Sequence, residues 1–145
     1  MSGIRAQGAA IRVLDTTASP MVYVDIGCIT DLTGPDGSRA EIDTTCLSST
    51  AREFNVGIPN NGSVSANGIL DTTANAYHVG SALSLWSSFK SGAEQTFRLI
   101  IPNSPEDFVQ FNAYVMTFQY QANGPDEVFR FSTSLKIDGE ITDSF

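Results

Sequence analysis

The sequence predicts a mainly β protein, an antiparallel β-sandwich or small barrel with one flanking α-helix. Three observations carry that expectation. Phe129, Phe131, Leu135 and Ile137 alternate with Arg130, Ser132, Ser134 and Lys136, the two-residue period of a half-buried strand. Phe108 to Tyr120 is a long run, with Tyr114, Met116 and Phe118 assigned to one face and Phe111, Ala113 and Val115 to the other. Only one segment, Asn75 to Phe89, spaces its apolar residues as a helix does.

Taken in order, Ile11 to Leu14 and Met21 to Ile26 are short apolar runs joined by a turn-rich connector, which predicts an antiparallel hairpin. Phe54, Val56 and Ile58 alternate before Pro59-Asn60-Asn61-Gly62, where Asn-Gly suits a tight hairpin. Val64, Ala66 and Leu70 continue on its far side. In the helical segment Ala76, Val79, Leu83 and Trp86 share one face, with Ala82 and Phe89 beside them. Asp71, Thr72 or Thr73 would cap its start, and Lys90 with Gly92 its end. Leu83 and Trp86 are the expected anchors of this helix against a sheet. Phe97, Leu99 and Ile101 alternate before Pro102, and Asn123-Gly124-Pro125-Asp126 supplies the last turn.

The triplet Asp-Thr-Thr occurs at Asp15, Asp43 and Asp71, 28 residues apart. A solenoid would carry similarity through the whole period, and the residues that follow do not match. The triplets are therefore read as strand ends, where Asp and Thr side chains bond local backbone groups.

The 145 residues suit one domain, able to bury roughly 68–70% of the surface of its unfolded chain. Sixteen acids against eight bases give a net charge of −8, so the electrostatic term that drives most DNA binding is missing. No run of about 18 apolar residues is present to span a membrane, so no membrane anchor is expected. Arg5, Gln7 and Arg12 interrupt any signal-peptide core, and the expectation is folding in the cytosol, with Cys28 and Cys46 as free thiols.

Catalytic and metal chemistry find little support, and neither a cofactor nor a metal is expected. The single histidine, His78, falls on the polar side of the expected helix and reads as a solvent-exposed structural residue. Two cysteines and one histidine, widely separated, do not make a zinc site. Asp31, Asp36, Glu41 and Asp43 lack the alternate-position ligand pattern of a calcium loop. There is no Gly-x-Ser-x-Gly elbow and no phosphate-binding glycine fingerprint. A carbohydrate-binding or enzymatic β-sandwich would present exposed aromatic platforms or convergent catalytic groups. Here the aromatics fall mostly at alternating core positions, with Phe145 the exception.

What remains is the polar connection from Gly34 to Gly62, long for a domain this small. Such connections are disordered or functional. Residues 27–53 are read as a long loop between subunits and residues 1–10 as an N-terminal arm. The expected contact residues are Gly34, Pro35, Arg39, Glu41, Asp43, Thr44, Leu47, Arg52 and Glu53. The first half, to about Ser49, reads as a free arm, and the part from Phe54 onward as a strand and hairpin of the sandwich.

An ordered set of residues runs through this connection and beyond it. It comprises Ile26-Gly27 with Ile29-Thr30, Gly34-Pro35, Glu41-Ile42-Asp43-Thr44-Thr45, Leu47, Ser49, Ala51-Arg52-Glu53-Phe54, Gly57-Ile58 and Asn61-Gly62. Leu83, Phe97-Arg98-Leu99 before Pro102, Ala113-Tyr114-Val115, Leu135-Lys136-Ile137, Gly139 and Ile141-Thr142 complete it. In this order the chain resembles the major tail tube proteins of long-tailed, non-contractile bacteriophages. The resemblance implies a β-sandwich with a flanking helix, shared with type VI secretion tubes, and a structural role without enzymatic activity. It implies a virion tail protein, made in the bacterial cytoplasm, whose copies form stacked rings of six around a bore that conducts DNA. It further implies contacts with a tape measure protein, a tail terminator and distal tail or baseplate proteins. A gene transfer agent tail, a secretion tube and a tail terminator ring are the related alternatives. The acidic composition adds the expectation of a net negative bore.

Overall fold

A computed structural model of the chain describes residues 3–17, 19–103 and 106–145. Its strands are β1 (Ala10–Asp15), β2 (Val22–Asp25), β3 (Ile29–Thr33), β4 (Ser38–Asp43), β5 (Phe54–Asn60), β6 (Ser63–Ile69), β7 (Glu94–Ile101), β8 (Asp107–Gln121) and β9 (Arg130–Asp143). One short helix, α1 (Leu85–Ser91), precedes β7.

Seven strands form one antiparallel sheet in the order β2-β1-β7-β8-β9-β6-β3, while β4 and β5 pair apart from it. The expected first hairpin is present, with Val13 opposite Val24 and Leu14 opposite Tyr23. The sheet folds over on itself. Ile11 and Val13 of β1 share one core with Val64 and Ala66 of β6, four places away in the strand order. Phe97, Phe111, Phe131 and Leu135 fill the middle, and Phe118 stacks on Phe131 with centroids 5.4 Å apart.

The face assignment along β8 holds to Val115 and then fails. Phe111, Ala113 and Val115 are buried as a set, but Phe118 is buried with them. The register shifts between Val115 and Thr117. An extra residue at a bulge inverts the phase of a strand, so Met116 stays exposed while Phe118 turns inward.

The expected helix over 75–89 is largely replaced by irregular chain. A single 3-10 turn spans Ala74–Ala76, and regular helix begins only at Leu85. Tyr77 and Gly80 between them have positive φ values of 58° and 82°, a left-handed backbone that no α-helix contains. Ser84 caps α1 by accepting from the Ser87 amide, and Gly92, in the left-handed region, ends it by donating to the Ser88 carbonyl. Trp86 lies against Phe118 and Tyr120 of β8, at centroid distances of 5.8 and 5.3 Å, and Leu83 packs partly buried beside the core.

His78 is a second correction, because it is fully buried. Its Nδ1 accepts from the Asp71 amide at 3.0 Å and its Nε2 bonds the Gly27 carbonyl. Its ring sits 4.3 Å from that of Phe131. The imidazole thus ties the turn after β2 to the turn after β6. Burial pushes its pKa below the ordinary histidine value.

The three Asp-Thr-Thr triplets behave alike. Asp15, Asp43 and Asp71 each accept a hydrogen bond from the backbone amide two residues on, at Thr17, Thr45 and Thr73. Asp15 and Asp43 are the last residues of β1 and β4. Each triplet is a side-chain-closed turn at a strand end.

Candidate assembly surface

The span read as a loop over 27–53 contains two strands, β3 and β4, and β4 pairs with β5 as a ribbon. The strand from Phe54 to Asn60 therefore lies outside the main sheet, and Asn61-Gly62 is a corner between two sheets. The local cause is legible at the base. Gly62 has a φ of 74°, and a Cβ there would collide with Asp36. Asp36 accepts from the Ser63 amide at 2.6 Å, and that backbone bond, first among its contacts, holds its carboxyl below the ordinary range. Asn60 accepts from Lys136 Nζ at 3.2 Å, and Asn61 donates to the Gly139 carbonyl at 2.5 Å. Gly34, with a φ of 114°, passes so close to Ser63 that a side chain would strike its carbonyl. The ribbon is clamped at its root to β6 and β9.

Beyond the root, among the described residues, β4 and β5 form ladder bonds with each other alone. Asp43 lies opposite Phe54 and Glu41 opposite Val56, while Ile42 lies opposite Asn55 on the other side. Each side of the ribbon thus carries an apolar residue. Phe54 and Ile42 are about half exposed, Val56 is 68% exposed and Ile58 91%. A two-stranded hairpin is marginal by itself in water, and clustered exposed apolar side chains mark a site of interaction.

The tip is ordered by polar contacts. Arg52 bridges to Asp43 at 3.0 Å, the Thr44 amide donates to the Glu53 carbonyl at 3.0 Å, and Ser49 donates to Glu53 at 2.9 Å. The Asp43 carboxyl is held below the ordinary range, first by the Thr45 amide, then by the Thr45 hydroxyl and Arg52. Leu47 stands at the summit, fully exposed. Arg39 donates across the ribbon to the Gly57 carbonyl at 3.1 Å. Of the residues expected to make contact, Asp43, Thr44, Arg52 and Glu53 come together at the neck of the tip. Arg39 and Glu41 lie along β4, and Gly34 and Pro35 sit at the root. Sequence reasoning missed Ile42, Phe54, Val56 and Ile58 as surface groups. The signal was present as alternation, but alternation does not say which face is covered.

The remaining chemistry is sparse. Among the described residues, no three His, Cys, Asp or Glu side chains are placed to hold a metal, and Cys28 and Cys46 are free thiols. A cleft of about 420 Å³ lies between the N-terminal segment, β3 and the end of β7, walled by Ile4, Ile29, Leu32, Leu99 and Ile101 with Arg5 and Asp31 at its polar side. It gathers no acid–base pair or nucleophile.

Comparison with known proteins gives a consistent result. The family model for the lambda-like phage tail tube protein matches residues 2–85. Structural protein 3 of Pseudomonas phage PAJU2 is 40% identical over 55 residues, which cover 38% of this chain and 32% of that protein. The chain therefore spans about a third of that relative's length. Among solved structures, the tail of an empty gene transfer agent particle, refined with C6 symmetry, superposes with a TM-score of 0.76. That match has 16% identity and covers 99% of this chain and 100% of the other. The SPP1 tail tube superposes with a TM-score of 0.69 at 13% identity, covering 97% and 78%. The sheath–tube complex of an extracellular contractile injection system gives a TM-score of 0.71 at 10% identity, covering 98% and 91%. At these identities the likeness to solved structures is one of fold.

Proposed function

This chain belongs to the lambda-like phage tail tube family, and from that premise we propose that its copies form rings, six to a ring, which stack into a hollow tube that conducts DNA. As a member of that family it is a structural protein of the phage tail and not an enzyme. The observation that carries the proposal is the β4–β5 ribbon, which forms ladder pairs with no other strand among the described residues and shows apolar groups on both sides. A contact that runs head to tail does not close, so it propagates into a filament. The expected contact residues Gly34, Pro35, Arg39, Glu41, Asp43, Thr44, Leu47, Arg52 and Glu53 become, in this reading, the root, flank and tip of an arm that seats on neighbouring copies. Ile42, Phe54, Val56 and Ile58 join them.

The six-fold number draws support from the C6 symmetry of the gene transfer agent tail with the same fold. The net charge of −8 suits a bore along which phosphates pass without adhering. Tape measure, terminator and distal tail proteins are the further partners that this role calls for. Electron microscopy of the purified chain at rising concentration tests the reading. Hollow tubes are expected. A chain that remains monomeric at every concentration overturns it. Replacing residues 44–53 by a two-residue turn should abolish tubes and leave the thermal transition of the monomer in place.

A further inference from the structure

The ribbon does not account for a second feature of the molecule, the sheet face turned away from the core, on which charged and amide side chains lie among Leu14, Tyr23, Ile100 and Phe108. On strands β2, β1, β7 and β8 the cross-strand partners form one transverse row, Asp25–Arg12–Arg98–Gln110. Below it lie Thr96 beside Asn112, and Glu94 beside Tyr114. Arg12 and Arg98 are the only cations on these four strands, and they are direct neighbours. Two like charges in that position repel, and two adjacent guanidinium forks would make a ready phosphate clamp.

The chain instead turns both arginines upon itself. Arg12 Nε donates to Asp25 at 2.6 Å and its Nη1 to Glu106 at 2.8 Å. The guanidinium of Arg98 lies between two rings, 3.9 Å from the centroid of Tyr23 and 4.0 Å from that of Phe108. Its Nε donates to Gln110 at 3.0 Å. Two carboxylates, Asp25 and Glu106, thus take up Arg12, and two rings and an amide take up Arg98, while Glu94 stands further along β7 beside Tyr114. Lys136 of β9, opposite Tyr114, donates to Asn60, so the cations of this face are each engaged, and engaged cations offer a polyanion little counterion-releasing contact.

We infer that this face lines the bore, and that Asp25, Glu106, Tyr23, Phe108 and Gln110 serve to withhold Arg12 and Arg98 from the phosphates of passing DNA. The inference rests on the tube reading above and assigns it a wall. Sheet geometry allows it, because α1 sits on the core side, through Trp86 against Phe118, and leaves Glu94, Asn112 and Tyr114 exposed.

The test uses tubes assembled from the full chain and a short double-stranded DNA at low salt, with co-sedimentation and nuclease digestion as readouts. Parent tubes should retain little DNA. Asp25→Asn/Glu106→Gln frees Arg12 and should raise retention at least about threefold, an effect lost near 1 M salt, where screening acts within about 3 Å. The retained DNA should resist nuclease, and adding Arg12→Gln should return retention to the parent level. Retention unchanged from the parent, or retained DNA that nuclease removes, overturns the inference.

An independent arm places Asn112→Cys in a Cys28→Ser/Cys46→Ser chain. In tubes this thiol should react with a small maleimide and not with one coupled to a large protein. Equal reaction with both puts the face outside and overturns the assignment while leaving the tube itself standing. A parent chain that forms no tubes overturns the tube reading first, and the wall with it.

Discussion

The seven-stranded sheet and the β4–β5 ribbon are built from similar alternating sequence, yet they put it to opposite uses. In β9, Phe131, Leu135 and Ile137 are buried while Lys136 and Asp138 are exposed. In β5, Phe54, Val56 and Ile58 follow the same two-residue beat and all remain exposed. The difference lies in what covers each face. β9 is held between β8 and β6 and closes over the residues of β1 and α1, whereas β5 has one partner strand and no second layer. Periodicity announces an apolar face, and only tertiary structure decides whether the chain itself or another copy covers it.

The sharpest break in this comparison comes from removing one apolar residue on each side. Phe131 is fully buried, stacked on Phe118, with His78 on it. Phe131→Ala should cost about 3–5 kcal/mol in chemical denaturation of the monomer, the range for a large aromatic lost from a packed core. Ile58→Asp, on the ribbon, should shift monomer stability by no more than about 0.5 kcal/mol, as exposed substitutions do. It should nevertheless raise the concentration at which tubes form at least about tenfold, which corresponds to about 1.4 kcal/mol of contact. Equal stability losses from the two changes would mean that the ribbon belongs to the core.

That contrast also explains how far the sequence could be read. The β1–β2 hairpin, β8, β9 and the three Asp-Thr-Thr turns were legible because their signals are local. An apolar alternation, a turn dipeptide or a side chain that closes its own backbone needs no knowledge of the rest. β4 was not legible, since Ser38-Arg39-Ala40-Glu41-Ile42-Asp43 is exposed on both faces and its alternation rests on Ala40 and Ile42 alone. The helix over 75–89 was over-read. Ala76, Leu83 and Trp86 do turn toward the core, but an irregular chain laid over a sheet can bury every third or fourth residue without being helical. The positive φ of Tyr77 gave no warning in the residue type. Most of the expected contact residues fell on the ribbon because they were drawn from a stretch too polar to pack. Phe54, Val56 and Ile58 were missed because the same logic assigned them to the sandwich, and Ile42 because it lay in the span read as a loop.

His78 offers a subtler break, confined to the sheet. Buried between Gly27 and Asp71, it must stay neutral to accept from the Asp71 amide, since a proton on Nδ1 would face that amide's own hydrogen. Desolvation is the main cause of its lowered pKa, and the bond to the Gly27 carbonyl, then the nearby Asp71 carboxylate, offset part of it. In the unfolded chain the ring takes up its proton near its ordinary value of 6.5. Between that value and the lower folded one, the unfolded state binds more protons. Stability should therefore fall as pH drops below about 6.5 and level off only beneath the folded pKa. His78→Gln should flatten that part of the pH–stability curve. A slope unchanged by the substitution would assign the acid sensitivity to carboxylates such as Asp36 instead.

The smallest effect is expected at the ribbon tip, where a thiol reports without supporting anything. Cys46 Sγ lies 3.1 Å from the Ser48 hydroxyl and 3.3 Å from that of Ser49, and these contacts lower its pKa to about 7. In the monomer its alkylation by iodoacetamide should follow a midpoint near pH 7, and Ser48→Ala, which removes the larger of the two contacts, should move that midpoint upward with no change in thermal stability. The thiolate is the reacting species, so the rate reads the local hydroxyls directly. The same measurement on assembled tubes then sharpens the comparison between sheet and ribbon. A tip seated on a neighbouring copy loses water and access together, and Cys46 should react many times more slowly in tubes than in monomers at equal pH. If the rates match, Leu47 and its surroundings face solvent in the tube, and the contact must be carried by the flanks of the ribbon, through Ile42, Val56 and Ile58, rather than by its tip.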